Sequence, residues 1–185
     1  TIDSTDTTNG VQVATATSGV PVKIGHTTSE VTVQDNLTVT GNLVVTGNTT
    51  FTADIIKSTS GTSNFAAGVN AGNSIASGGN YNVVIGDEAG TALTTGDDNV
   101  AIGFEALKTE DAHGLNTAVG YQSLKTLNAG AEAYETAVGY KSGTAITTGV
   151  YNTLIGAQAG LGLTEGNNNV AVGLNALGQD TKGSK

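Results

Sequence analysis

Apolar and polar positions alternate in short bursts along residues 64–177, and every burst turns on a glycine. "NVAIGFEAL" occupies 99–107, and "NTAVGYQSL" follows at 116–124. Within a burst Val100, Ile102 and Phe104 share one parity, and Ala101, Gly103 and Glu105 share the other. The same split recurs as Thr117, Val119 and Tyr121 against Ala118, Gly120 and Gln122. A two-residue period with β-branched residues predicts a strand. A helix would scatter these positions round its circumference and tolerate the central glycine badly.

The bursts form a series. "NVVIGDEAG" opens at Asn82, "NVAIGFEAL" at Asn99, "NTAVGYQSL" at Asn116, "ETAVGYKSG" at Glu135, "NTLIGAQAG" at Asn152 and "NVAVGLNAL" at Asn169, with a fainter copy from Asn64. Their central glycines are Gly68, Gly86, Gly103, Gly120, Gly139, Gly156 and Gly173, so the steps are 18, 17, 17, 19, 17 and 17 residues. A period this constant predicts a solenoid-like array, because one unit cannot bury its face alone and a stacked neighbour can. Between the bursts lie "TALTTGDD" (91–98), "TAITTGVY" (144–151) and "LGLTEGNN" (161–168), each with one apolar residue and a Gly-centred turn. Two short strands and two turns per repeat are therefore expected, making each repeat one coil of a flattened β-roll. The Ala and Gly positions allow close backbone approach. The opening Asn suits a turn or a side-chain ladder between coils.

Upstream the rhythm shortens to six residues in "NLTVTGNLVVTGNTTFTA" (36–53). Leu37, Val39, Leu43, Val45 and Phe51 alternate with Thr38, Thr40, Asn42, Thr46 and Thr50. Strands this thin expose their edges unless chains intertwine. The organisation read from the sequence is an extended N-terminal segment and candidate attachment region at 1–30, a hexad β shaft at 31–57, a junction at 58–63 and the β-roll at 64–185. The fold class is all-β, a repetitive β-roll or β-solenoid. It is expected to be an intertwined homotrimeric fibre with an N-terminal β-prism or triple β-helix.

Composition narrows the partners. Aromatic residues are 4% and charged residues 12%, with 27 Gly and neither Cys, Met nor Trp. Such a chain favours a thin repeated core over a thick one. The net charge of −9 and pI near 4.3 argue against nucleic acid. Membrane insertion is not expected, since no apolar run reaches the ~18–20 residues of a span, and the first residues lack a signal-peptide pattern. Without Cys, thiolate metal sites are excluded.

The N-x-[AV]-[IV]-G-x-x-[AS]-[GL] units resemble the YadA-like head repeats of trimeric autotransporter adhesins, and are more similar still to repeat arrays in bacteriophage tail fibres. The stretch "DNLTVTGNLVVTGNTTF" (35–51) is similar to phage fibre shafts. The adhesin repeats are usually a few residues shorter. The resemblance implies a left-handed parallel β-roll packed as a trimer, in a bacteriophage virion, meeting other virion proteins and a host-cell receptor or glycan. The alternative it implies is the head of a trimeric adhesin at the bacterial surface.

Candidate chemistry is sparse. His26 and His113 stand far apart and read as solvent-exposed residues; without Cys a metal site would need a carboxylate cluster, and a meeting of His113 copies near a trimer axis is a minor alternative. "GDDN" (96–99) and "GNNN" (166–169) carry oxygens that suit calcium, but turn geometry alone selects the same residues. No phosphate-loop pattern is present. Asp87, Glu88, Asp97 and Asp98 read as a solvated rim rather than an acid/base pair, which a glycan depolymerase spike would require. Thr38 and Thr40 have the spacing of an ice-binding face without its recurrence, and Asn36 and Asn48 open glycosylation sequons usable only in a eukaryotic source. The expectation is a structural protein with no catalytic, cofactor or metal site. Its named residues are the seven glycines and the ladder positions Asn82, Asn99, Asn116, Asn152 and Asn169. One further step of 17 from Asn169 reaches position 186, so the chain is expected to continue into another unit.

Overall fold

The computed structural model describes residues 59–183. The N-terminal segment, the hexad shaft, His26 and both sequons lie outside the described residues. Seven three-residue strands follow in order: β1 Phe65–Ala67, β2 Val83–Ile85, β3 Val100–Ile102, β4 Thr117–Val119, β5 Thr136–Val138, β6 Thr153–Ile155 and β7 Val170–Val172. They form one parallel sheet in sequence order, each strand pairing with the equivalent strand of the next repeat. This is an all-β parallel solenoid of about six turns, with no helix among the described residues.

Each coil holds one strand, not the two expected. On the opposite wall the backbone folds back on itself: the amides of Ile75, Leu93, Leu127, Ile146 and Leu163 donate to carbonyls three residues earlier, at Gly72, Gly90, Leu124, Gly143 and Gly160. A chain bonded within its own turn cannot also offer those groups to a ladder. That wall therefore turns where the first wall extends.

The small-residue parity faces inward. Ala66, Val84, Ala101, Ala118, Ala137, Leu154 and Ala171 form one buried column, one residue from the centre of each strand. Ile75, Leu93, Leu127, Ile146 and Leu163 form a second column from the far wall. Between them a corner position alternates between Gly and Leu: Gly72, Gly90, Leu107, Leu124, Gly143, Gly160 and Leu177. The alternation conserves volume. Where the strand centre is small, at Ala101, Ala118 and Ala171, the corner of that coil is Leu. Where it is large, the corner is Gly, and a methyl built on Gly90 would lie 2.7 Å from Val84 while one on Gly160 would lie 2.8 Å from Leu154. Gly72 and Gly143 make room instead for side chains of neighbouring coils, Val84 and Leu124. The corner has left-handed backbone in every case, φ 54° at Gly90 and 50° at Leu107. Leucine there carries a conformational cost of about 1–2 kcal/mol, offset by filling a core that would otherwise be empty.

Candidate functional site

The glycines singled out in the sequence stand directly above one another. Their φ angles run from 121° at Gly173 to 141° at Gly139, a region closed to L side chains. A methyl built on Gly86 would lie 2.7 Å from the carbonyl carbon and oxygen of Gly103. The amides of the six glycines from Gly86 to Gly173 bond across the coils, as Gly103 N does to Ile85 O at 2.7 Å and Gly120 N to Ile102 O at 2.7 Å.

The Asn positions form a buried ladder. Asn82 donates its backbone N to Asn64 Oδ1 at 2.8 Å and its Nδ2 to Gly96 O at 2.8 Å. Asn99 N donates to Asn82 Oδ1 at 2.9 Å, Asn116 N to Asn99 Oδ1 at 3.2 Å and Asn169 N to Asn152 Oδ1 at 3.0 Å. An amide side chain suits this place because it accepts from one coil while donating to a turn carbonyl. Glu135 interrupts the ladder. It accepts from Asn152 N at 3.2 Å and Nδ2 at 2.7 Å through Oε1, and its Oε2 is buried without a partner.

A second carboxylate interrupts the apolar column. Glu110 occupies the place that Leu93 and Leu127 hold in adjacent coils and is fully buried. It accepts from His113 N at 3.2 Å, His113 Nδ1 at 3.1 Å and Ala129 N at 3.3 Å. His113 is thus half-buried and engaged, not the free surface residue expected. Glu110, Asp111 and His113 bring possible ligand atoms within 4.8 Å of one another, but both Glu110 oxygens are already satisfied by the chain.

The acidic rim links coils. Asp87 Oδ1 accepts from Val69 N at 3.1 Å, and Asp97 Oδ1 accepts from Asn80 N at 2.6 Å. Asn167 repeats the Asp97 role toward Val150 N at 2.8 Å. Glu88 pairs with Lys108, which also bonds Glu105 at 2.7 Å, and Lys125 reaches Glu105 at 2.6 Å. These bonds from Lys108 and Lys125 hold the Glu105 carboxyl down at about 2. Gln122 Nε2 completes its shell at 2.7 Å.

The largest feature without a partner is the outward face of the sheet. Two rows flank the strand centres, Val83, Val100, Thr117, Thr136, Thr153 and Val170 on one side, and Ile85, Ile102, Val119, Val138, Ile155 and Val172 on the other. Aromatic rows border them. Phe104, Tyr121 and Tyr140 stack with centroids 5.3 Å apart, and Tyr134 stacks on Tyr151 at 5.4 Å. All five rings are more than two-fifths exposed. The sequence signal for the first stack was available, since it is the residue after each central glycine. Among the described residues of these four rows only Asp87 and Asp98 are charged, and both sit toward the β2–β3 end.

The geometry defines a repetitive parallel β-solenoid with an apolar outer sheet. Beyond that class, no family model, curated protein or solved structure matches the chain.

Proposed function

We propose that the protein is a structural and attachment component, a homotrimeric fibre of a bacteriophage virion that presents a region binding a host-cell receptor. The carrying observation is the outward face of the sheet, an in-register apolar surface one row deep per coil. Seven strands at about 4.8 Å spacing and five residues of width at about 3.3 Å give roughly 550 Å² per chain. Three such faces turned toward a shared axis total roughly 1,600 Å², shared among three subunit contacts of roughly 550 Å² each. Parallel copies with one repeat length meet row for row, and the Thr117, Thr136 and Thr153 hydroxyls tolerate the contact without a charge to bury. The carboxylates of Asp87, Glu88, Asp97, Glu105, Glu110, Glu132 and Glu135 bond from coil to coil, which supports a structural rather than a catalytic part. Three copies on one stiff body turn weak surface contacts into avidity.

Sedimentation of the 185-residue chain beside Val138→Asp tests the assembly. A trimer that the Asp variant converts to folded monomer supports it, and a wild-type folded monomer at micromolar concentration overturns it. Electron microscopy of particles with an antibody to this chain tests the location: labelled virion fibres support it, and labelling of a bacterial surface instead would assign the adhesin role.

A further inference from the structure

We propose that Glu135 is held in the amide ladder as the neutral carboxylic acid, and that its ionisation loosens the solenoid between the coils carrying β4, β5 and β6. Asn82, Asn99, Asn116 and Asn152 each do two things at once. The Oδ1 of each accepts from the next coil, and its Nδ2 supplies a donor to a buried acceptor. Asn82, Asn99 and Asn152 aim that donor at the carbonyl fourteen residues on, at Gly96, His113 and Gly166. A carboxylate has two acceptors and no donor, so it can do only half of this. A carboxylic acid does both.

The contacts of Glu135 follow the amide pattern. Oε1 takes the place of Oδ1, accepting both nitrogens of Asn152. Oε2 takes the place of Nδ2, buried and without a partner. By the ladder register its acceptor is the carbonyl of Gly149, which accepts no hydrogen bond from the chain among the described residues. A proton on Oε2 is the donor that position lacks. Glu135 also opens the unit that follows the 19-residue step, so its longer side chain comes directly after the turn that has two extra residues.

Nothing nearby compensates a charge. Its bonded neighbours, Asn116 above and Asn152 below, are neutral. The ionisable groups on the packed coils are Tyr121, Lys125, Glu132 and Tyr134 above, Tyr140, Lys141 and Tyr151 on its own coil, and Glu165 below. Of these Glu132 accepts from Gly114 N at 2.7 Å, and Lys125 pairs with Glu105 at 2.6 Å. Among the described residues no cation bonds the Glu135 carboxyl. Burial pushes it up to about 8, against a smaller opposing pull from the Asn152 bonds.

The sign follows from linkage. Unfolded Glu135 ionises near 4.5, whereas the folded group keeps its proton to about 8. Stability from this residue is complete below pH 4.5, declines as pH rises through that window and levels off above it. The test is urea unfolding of the whole chain and of Glu135→Gln from pH 5 to 9, with carbon-13 NMR of the labelled glutamate carboxyls in the wild type. Gln offers the same shape with a permanent donor. The unfolding constant of wild type relative to Gln should rise at least about 100-fold across this range, and one glutamate signal should titrate above pH 7. His113 and the other groups are common to both proteins and cancel. A flat ratio, or NMR showing every glutamate ionised by pH 6, overturns the proposal. If the Gln variant does not fold, the NMR titration alone decides.

Discussion

Replacing Gly103 by Ala in the middle of the glycine column should cost far more than the same change at Gly173. Both residues have nearly the same backbone, φ 130° and 121°, so both suffer the same conformational penalty of about 1–3 kcal/mol. Their surroundings differ. A methyl built on Gly103 would lie 2.5 Å from Gly120 O and 2.7 Å from its carbon, whereas one on Gly173 meets nothing within 4 Å. Restoring an ordinary carbon–oxygen contact of about 3.4 Å requires the coils to part by about 0.9 Å, the difference from 2.5 Å. The Gly120 N to Ile102 O bond, now 2.7 Å, would then stretch to about 3.6 Å, beyond hydrogen-bonding range. Losing this bond and one neighbour adds about 2 kcal/mol, and the backbone shift about 1–3 kcal/mol more. The expected totals are about 4–8 kcal/mol for Gly103→Ala and about 1–3 kcal/mol for Gly173→Ala. Urea unfolding followed by circular dichroism measures both, and hydrogen exchange at Gly120 N localises the damage. Equal losses at the two positions would refute the steric account of the column.

Leu154→Ala should destabilise by about 2–5 kcal/mol through the cavity it leaves, and adding Gly160→Leu should recover at least half, since the pair then copies Ala101 with Leu107. Additive losses in the double-mutant cycle would show that corner and strand centre do not share one volume. Acid should weaken the Glu105 cluster: its folded carboxyl titrates near 2 and the unfolded one near 4.5, so its stabilisation is present above pH 4.5 and fades as pH falls toward 2. Glu105→Gln should show a shallower acid limb in thermal melts, and an unchanged limb would count against the cluster.

The period of the solenoid was legible because a residue that must be glycine cannot drift. The constant spacing of Gly68 to Gly173 reported the one place where backbones of adjacent coils touch. Ladder and turn were both open readings for Asn, and only the three-dimensional register shows the side chains bridging coils. The far wall misled because its signal is one apolar residue per repeat, which is too sparse to separate a strand from a turn. The same sparseness hid Glu110. It lies 17 residues after Leu93 and 17 before Leu127, yet its own stretch has His113 where Gly96, Gly149 and Gly166 stand three residues before the next unit opener. Glu135 was visible as the one unit opener that is not Asn, but its meaning depends on burial. The choice of Gly or Leu at the end of each unit looked like loose tolerance in the motif, and in five of the seven coils is instead the complement of the strand centre.

The stacking of coils also sets how far this part of the chain can reach. From Gly68 to Gly173 the backbone spends 105 residues on six steps, an advance of about 29 Å at about 4.8 Å per step. A helix of the same residues would extend about 158 Å. Length is therefore not what these coils supply. They supply cross-section: two walls, a filled interior and a fresh copy of the same outer row every few ångströms, so that bending the body means compressing or parting hydrogen-bonded layers throughout its width. Adding or deleting one whole repeat would change the number of rows available to a partner by one and the span by a single strand spacing, leaving every other contact in register.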